Sequence, residues 1–170
     1  ELEIDVAESL IAEALQQALQ QLQQTQDTEG AAMKADLTQR VSSLREFAGT
    51  IAEKSPLVKE HFRAQLHRRL NDSGIEISFE DDRFVKEIGV FAEKSDISEE
   101  ITRLGSHFEQ FDRYFAGSEP CGRPLNFLCQ EVNREFNTIG SKANDAGIAQ
   151  LVVDAKTELE KIREQVQNVQ

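Results

Sequence analysis

Apolar residues recur at steps of three and four along nearly the whole chain, and that spacing is the strongest constraint on its fold. Val6, Leu10, Ala14, Leu15, Ala18, Leu19 and Leu22 form the first such series, with glutamines and acids between them. At 3.6 residues per turn they make one apolar stripe, so an amphipathic helix is expected, ending near 25–30. Met33, Leu37, Val41, Leu44, Ala48 and Ile51 continue the spacing to Ser55-Pro56. Proline disfavours helical geometry in the residue before it and suits a first turn, which predicts a break there. A third helix is expected through Leu57, Phe62, Leu66 and Leu70, with Gly74 as its C-terminal cap.

The stretch Ile75-Glu76-Ile77-Ser78-Phe79 alternates apolar and polar residues like a strand, but no second candidate pairs with it, so a loop is expected. A short helix follows over 83–92. The next carries Ile97, Ile101, Leu104, Phe108, Phe111 and Phe115, and capping side chains precede it at 95–100. After a break at 117–124, Leu125, Leu128, Val132, Phe136 and Ile139 define a further helix. Ile148, Leu151, Val152, Ala155, Leu159, Ile162, Val166 and Val169 define the last. The fold class predicted is all-α, an elongated helical bundle with long coiled-coil-like helices.

A chain of 170 residues can bury a real core. No apolar run approaches the roughly 20 residues of a membrane span, and no basic-then-apolar leader opens the chain, so a soluble protein is expected. Cys121 and Cys129 cannot build a disulfide framework, which suggests a reducing compartment. The chain starts at Glu1 and its only methionine is Met33, so an N-terminal portion is expected to be missing. A formal charge of -12 argues against nucleic acid, because phosphate contacts need Lys and Arg. The acid is unevenly spread, however. Residues 1–33 hold no Lys or Arg, whereas 121–144 hold Arg123, Arg134 and Lys142 against only Glu131 and Glu135.

That stretch is unlike a solvated helix face. Gln130 with Arg134, Glu131 with Glu135, and Asn133 with Asn137 are pairs at i and i+4, mixing amides, carboxylates and guanidinium groups as a polar-ligand site does. An interhelical hydrogen-bond network would produce the same array. His107 shares one side of its helix with Glu100 and Arg103, and can move protons near neutral pH or bind a metal. Glu131 and Glu135, with Glu99 or Glu100 from the preceding helix, could form a carboxylate shell for Mg²⁺ or Mn²⁺. Lys59, Arg63, His67, Arg68 and Arg69 form a positive stripe that could follow a phosphate backbone or simply pair with neighbouring acids such as Glu60. No P-loop, dinucleotide fingerprint or nucleophile elbow is present in the sequence.

Arg103-Leu104, Ser106-His107, Phe111, Gly122-Arg123, Phe127-Leu128, Gln130-Glu131, Asn133-Arg134-Glu135, Asn137-Thr138, Ser141-Lys142 and the run 161–168 together resemble the C-terminal domain of the YicC-like endoribonuclease family. The resemblance covers roughly residues 86–170, and 1–85 resemble the helical arm that precedes that domain. Pro124, Asn126 and Phe136 depart from the family's usual residues. The resemblance implies a bacterial, cytoplasmic, metal-dependent endoribonuclease acting on RNA rather than DNA, assembled as a homo-oligomer, a hexamer in that family. Carried over position by position, it gives His107, Arg123, Glu131, Arg134, Glu135 and Lys142 as the working set. The charge balance and the mixed helix then assign His107 to proton transfer, with Glu131 and Glu135 as the other catalytic residues positioning metal or water, and Arg123, Arg134 and Lys142, together with Arg103, to the phosphate. Glu100, Glu131 and Glu135 are then the ligands of a divalent cation. The alternative is a non-catalytic scaffold that oligomerises and grips RNA or a partner, with its active site built by an N-terminal region.

Overall fold

The computed structural model describes residues 4–117 and 119–167; Val169, expected on the last stripe, and Asn168, within the resemblance, lie outside them. Five helices account for the described fold, with no strand among the described residues: α1 (Ile4–Asp72), α2 (Asp82–Lys94), α3 (Ser98–Ala116), α4 (Gly122–Lys142) and α5 (Ala146–Val166). The all-α class holds, and the stretch 75–79 is a loop as expected. Helix α1 corrects the sequence reading, since one helix stands where three were expected. Thr25 and Thr28 donate their hydroxyls to the carbonyls of Gln21 and Gln24, satisfying inside a helix the groups that would otherwise favour a turn. Gly30 costs about 1 kcal/mol in a helix but does not require its end. Pro56 costs about 3 kcal/mol, and burial of Ile51 and Val58 on either side offsets it. The true end comes at Gly74, which adopts φ +77° while the Ile75 amide bonds back to the Leu70 carbonyl.

Backbone proximity divides the chain into two units, Glu1–Leu37 and Thr38–Gln170. In the first, the apolar stripe of α1 has no cover: Val6, Leu10, Leu15, Leu19 and Leu22 keep 47%, 54%, 58%, 57% and 54% of their surface exposed. The second unit holds the core. Val41, Leu44, Ala48 and Ile51 of α1 are buried in it, together with Leu104, Phe108 and Phe111 of α3. Leu128, Val132, Phe136 and Ile139 of α4 join Ile148, Ala155 and Ile162 of α5 there. Helix α4 packs against both α3 and α5. A Cβ at Gly140 would lie 3.3 Å from Val152 Cγ1, so glycine permits the close approach of α4 to α5. Phe62 stacks on Phe91 at 3.6 Å between ring centroids and joins α1 to α2.

Polar links fix the register at the edge of this core. Arg40 donates to Glu158 of α5 at 2.6 Å, and Arg45 donates to the Phe108 carbonyl and to Asp112 of α3. Bonds from Lys161 and then Arg40 hold the Glu158 carboxyl below the usual carboxylate range. The stability this contributes is present above the ordinary glutamate range and is lost as pH falls through the lowered value.

Candidate active site on the α3/α4 seam

The apolar faces of α3 and α4 turn into the core, which leaves the adjoining polar ridges side by side. Their cross-helix pairs show that the two helices run antiparallel. Glu100 meets Lys142 at 2.8 Å, Arg103 meets Glu135 at 3.6 Å, and His107 meets Glu131 and Glu135. As residue number rises along α3, its partner's number falls along α4.

An open cavity of about 400 Å³ sits on this seam, lined by Thr102, Arg103, Ser106, His107, Glu131, Arg134 and Glu135. His107, Glu131 and Glu135 each offer a ligand atom, and those atoms lie within 4.8 Å of one another. Glu135 is only 3% exposed. Two carboxylates this close repel unless a cation lies between them. The nearest cation to Glu135, Arg103 Nη1, stands 3.6 Å away and its guanidinium is shared with Glu99. Arg134 Nη1 is 3.9 Å from Glu131. The Nδ1 of His107 is buried without a hydrogen-bond partner, a costly arrangement unless something else satisfies it. An imidazole with an unpartnered nitrogen, grouped with two crowded carboxylates, fits a divalent cation: the donor set is mixed nitrogen and oxygen, which suits Mn²⁺ better than all-oxygen Mg²⁺ sites.

The other residues named from sequence lie apart from this cluster. Glu100 is 3% exposed and outside the three converging ligands, with one oxygen engaged by Lys142 and the other buried without a partner. Lys142 is therefore tied to Glu100; that bond holds its ammonium above the usual lysine range. The stability of this pair is present below the ordinary lysine range and is lost as pH rises through the raised value. Arg123 is exposed in the first turn of α4 and does not line the cavity, whereas Arg103 and Arg134 do. Thr102 was missed from sequence, and Ser106, named in the motif that carries the resemblance, was given no role in the site. They occupy i and i+4 beside Arg103 and His107, a spacing that puts two hydroxyls on the same ridge.

The family profile described as "Endoribonuclease YicC-like, C-terminal" matches residues 51–170, beginning inside α1 and upstream of the span recognised in the sequence. The chain is 38% identical over 167 residues to "Probable endoribonuclease YicC" of Clostridioides difficile (strain 630), covering 98% of this chain and 57% of the relative. It is 30% identical over 142 residues to "Probable endoribonuclease YicC" of Haemophilus influenzae, covering 84% of this chain and 49% of the relative. The chain thus spans about half the length of the curated relatives it matches.

Proposed function

Because the chain belongs to the YicC-like endoribonuclease family, we propose that it forms the metal-binding part of an enzyme that cuts RNA internally. The observation that carries this reading is the convergence of His107, Glu131 and Glu135 within 4.8 Å, with His107 Nδ1 buried and unpartnered. These three residues hold a divalent cation, Mn²⁺ or Mg²⁺, which supplies Lewis-acid polarisation of a phosphoryl oxygen. His107 is assigned to hold the ion rather than to shuttle protons, because one nitrogen cannot do both. Glu100, bound to Lys142, is left out of the ligand set. Arg103 and Arg134, exposed on the cavity rim, draw the phosphate in and balance its charge. Thr102 and Ser106 line the cavity beside them with hydroxyls that donate to the Ser98 and Thr102 carbonyls, which leaves their oxygens to accept from the substrate.

The enzyme works as a homo-oligomer, a hexamer as in the family resemblance, and the exposed stripe from Val6 to Leu22 supports self-association. It acts in the cytoplasm, on RNA and not DNA. Cys129 and Cys121 are free thiols, and burial pushes the Cys129 thiol up to about 12, which keeps it protonated and unreactive. No described helix is long and apolar enough to cross a membrane.

Purified free of contaminating nucleases, the intact protein is expected to cut a fluorescent single-stranded RNA when Mn²⁺ is supplied and to stop when the ion is chelated. Assembly and RNA binding without cleavage under either metal would favour the scaffold reading.

A further inference from the structure

Three aromatic side chains are exposed among the described residues, Phe79, Tyr114 and Phe127, and two of them lie on the α3/α4 seam. Phe127, 59% exposed, stands one turn of α4 before Glu131, on the ridge that lines the cavity. Tyr114, 38% exposed, stands two turns of α3 after His107, on the side of that helix that carries the imidazole. Because α3 and α4 run antiparallel, both displacements lead the same way, toward the connection between the two helices. At about 1.5 Å per residue, the rings start about 6 Å and about 10 Å beyond the cavity.

Other rings of the chain are engaged. Phe62 stacks on Phe91, Phe111 packs on Phe115, and Phe108 lies under the Arg45 guanidinium. Phe79, the remaining exposed aromatic, is already met by the His67 imidazole at 3.8 Å and the Arg63 guanidinium at 4.9 Å. Tyr114 and Phe127 make no ring or cation contact among the described residues, not even with each other. Arg123, exposed one further turn before Phe127, extends the same ridge. Outward from the cavity, α4 therefore presents Arg134 and Glu131, then a flat ring, then a second guanidinium.

That order matches a nucleic-acid strand, in which phosphates alternate with bases at a spacing comparable to one helical turn. The ion site and Arg134 suit one phosphate, the uncharged ring suits the face of a base, and Arg123 suits the next phosphate. A protein partner would need a contiguous apolar patch, but Phe127 is bordered by exposed Arg123, Gln130 and Arg134. A base inside a duplex has its faces covered by its neighbours, so only an unpaired one can lie on such a ring. We propose that the RNA strand runs from the cavity along the α3/α4 seam, with Phe127 and Tyr114 stacking on unpaired bases beside the scissile phosphate. Arg123, which the cavity leaves out, meets a phosphate further along. This path rests on the endoribonuclease reading and makes single-stranded RNA its substrate class.

Tyr114 is the only tyrosine of a chain without tryptophan, so tyrosine emission reports on that ring alone. The test titrates the intact protein, with metal ions chelated, with a single-stranded RNA of about six nucleotides. Saturable quenching is expected, and none from a duplex of equal length or from an abasic strand. With Mn²⁺ restored, Phe127→Ala is expected to raise KM for single-stranded RNA about tenfold, the loss of one base stack, while kcat stays within about twofold. Phe127→Leu, which keeps apolar bulk without a flat face, should match it, and Phe127→Tyr should stay near wild type. Cleavage by the wild type with tyrosine emission unchanged, or with KM unchanged in Phe127→Ala, overturns the path and leaves the endoribonuclease reading standing. Equal quenching by the duplex also overturns it. A Phe127→Ala protein that no longer assembles assigns the ring to a subunit contact and overturns it as well. Wild-type protein that neither binds nor cuts RNA overturns both readings.

Discussion

Replacing Glu135 by glutamine is expected to slow RNA cleavage at least about a hundredfold while the protein remains folded. Glu135 is 3% exposed and shares the seam with Glu131 and His107, so its carboxylate lies close to another negative charge in a largely dry place. A structural carboxylate would be matched by a close cation, but Arg103 stands 3.6 Å off and divides itself between Glu135 and Glu99. Removing the charge therefore relieves repulsion in the metal-free protein, and the thermal midpoint without metal should hold or rise. Loss of rate without loss of stability is the signature of a site kept at some cost to the fold. Initial rates with saturating Mn²⁺, alongside thermal unfolding with and without the ion, check both halves. A rate within twofold of wild type removes Glu135 from the site, and a large fall in stability makes it a structural ion-pair partner.

The neighbouring residue should behave in the opposite way. Phe136 is fully buried in the middle of α4, where that helix packs against both α3 and α5. Phe136→Ala is expected to cost about 3–5 kcal/mol, from lost transfer free energy plus a cavity that rigid helices on both sides cannot close. Urea unfolding would show this as a lower midpoint with little change in slope. A loss under about 1 kcal/mol would mean that α4 is not the central helix of the core. One residue apart, these two positions separate the two faces of α4.

How much of this could be read from sequence depended on whether the information was local. The amphipathic stripes of α2 to α5 located those helices, because each buries one face and repeats that demand every turn. The breaks expected in α1 were local signals overruled by context: Thr25 and Thr28 found carbonyls within the helix, and Pro56 lies between buried Ile51 and Val58. In the site, Glu131 with Glu135 was legible from the i, i+4 spacing. The grouping of His107 with that pair came from the family resemblance and not from spacing, since their contact follows from the antiparallel register of α3 and α4. The same register carries Glu100, which the spacing put beside His107, to Lys142 instead. Arg123 was grouped with Arg134 because both lie on one helix, but two turns of α4 separate it from the cavity. The stack of Phe79 on His67 depends on a loop folding back onto α1, which no periodicity records.

The central claim is that His107, Glu131 and Glu135 together hold a divalent cation, and calorimetric titration of Mn²⁺ into the intact protein and its His107→Ala variant tests it most directly. The account predicts saturable binding by wild type that weakens at least about tenfold when the imidazole is removed. Equal affinity in the two proteins, with the variant still folded, would contradict it.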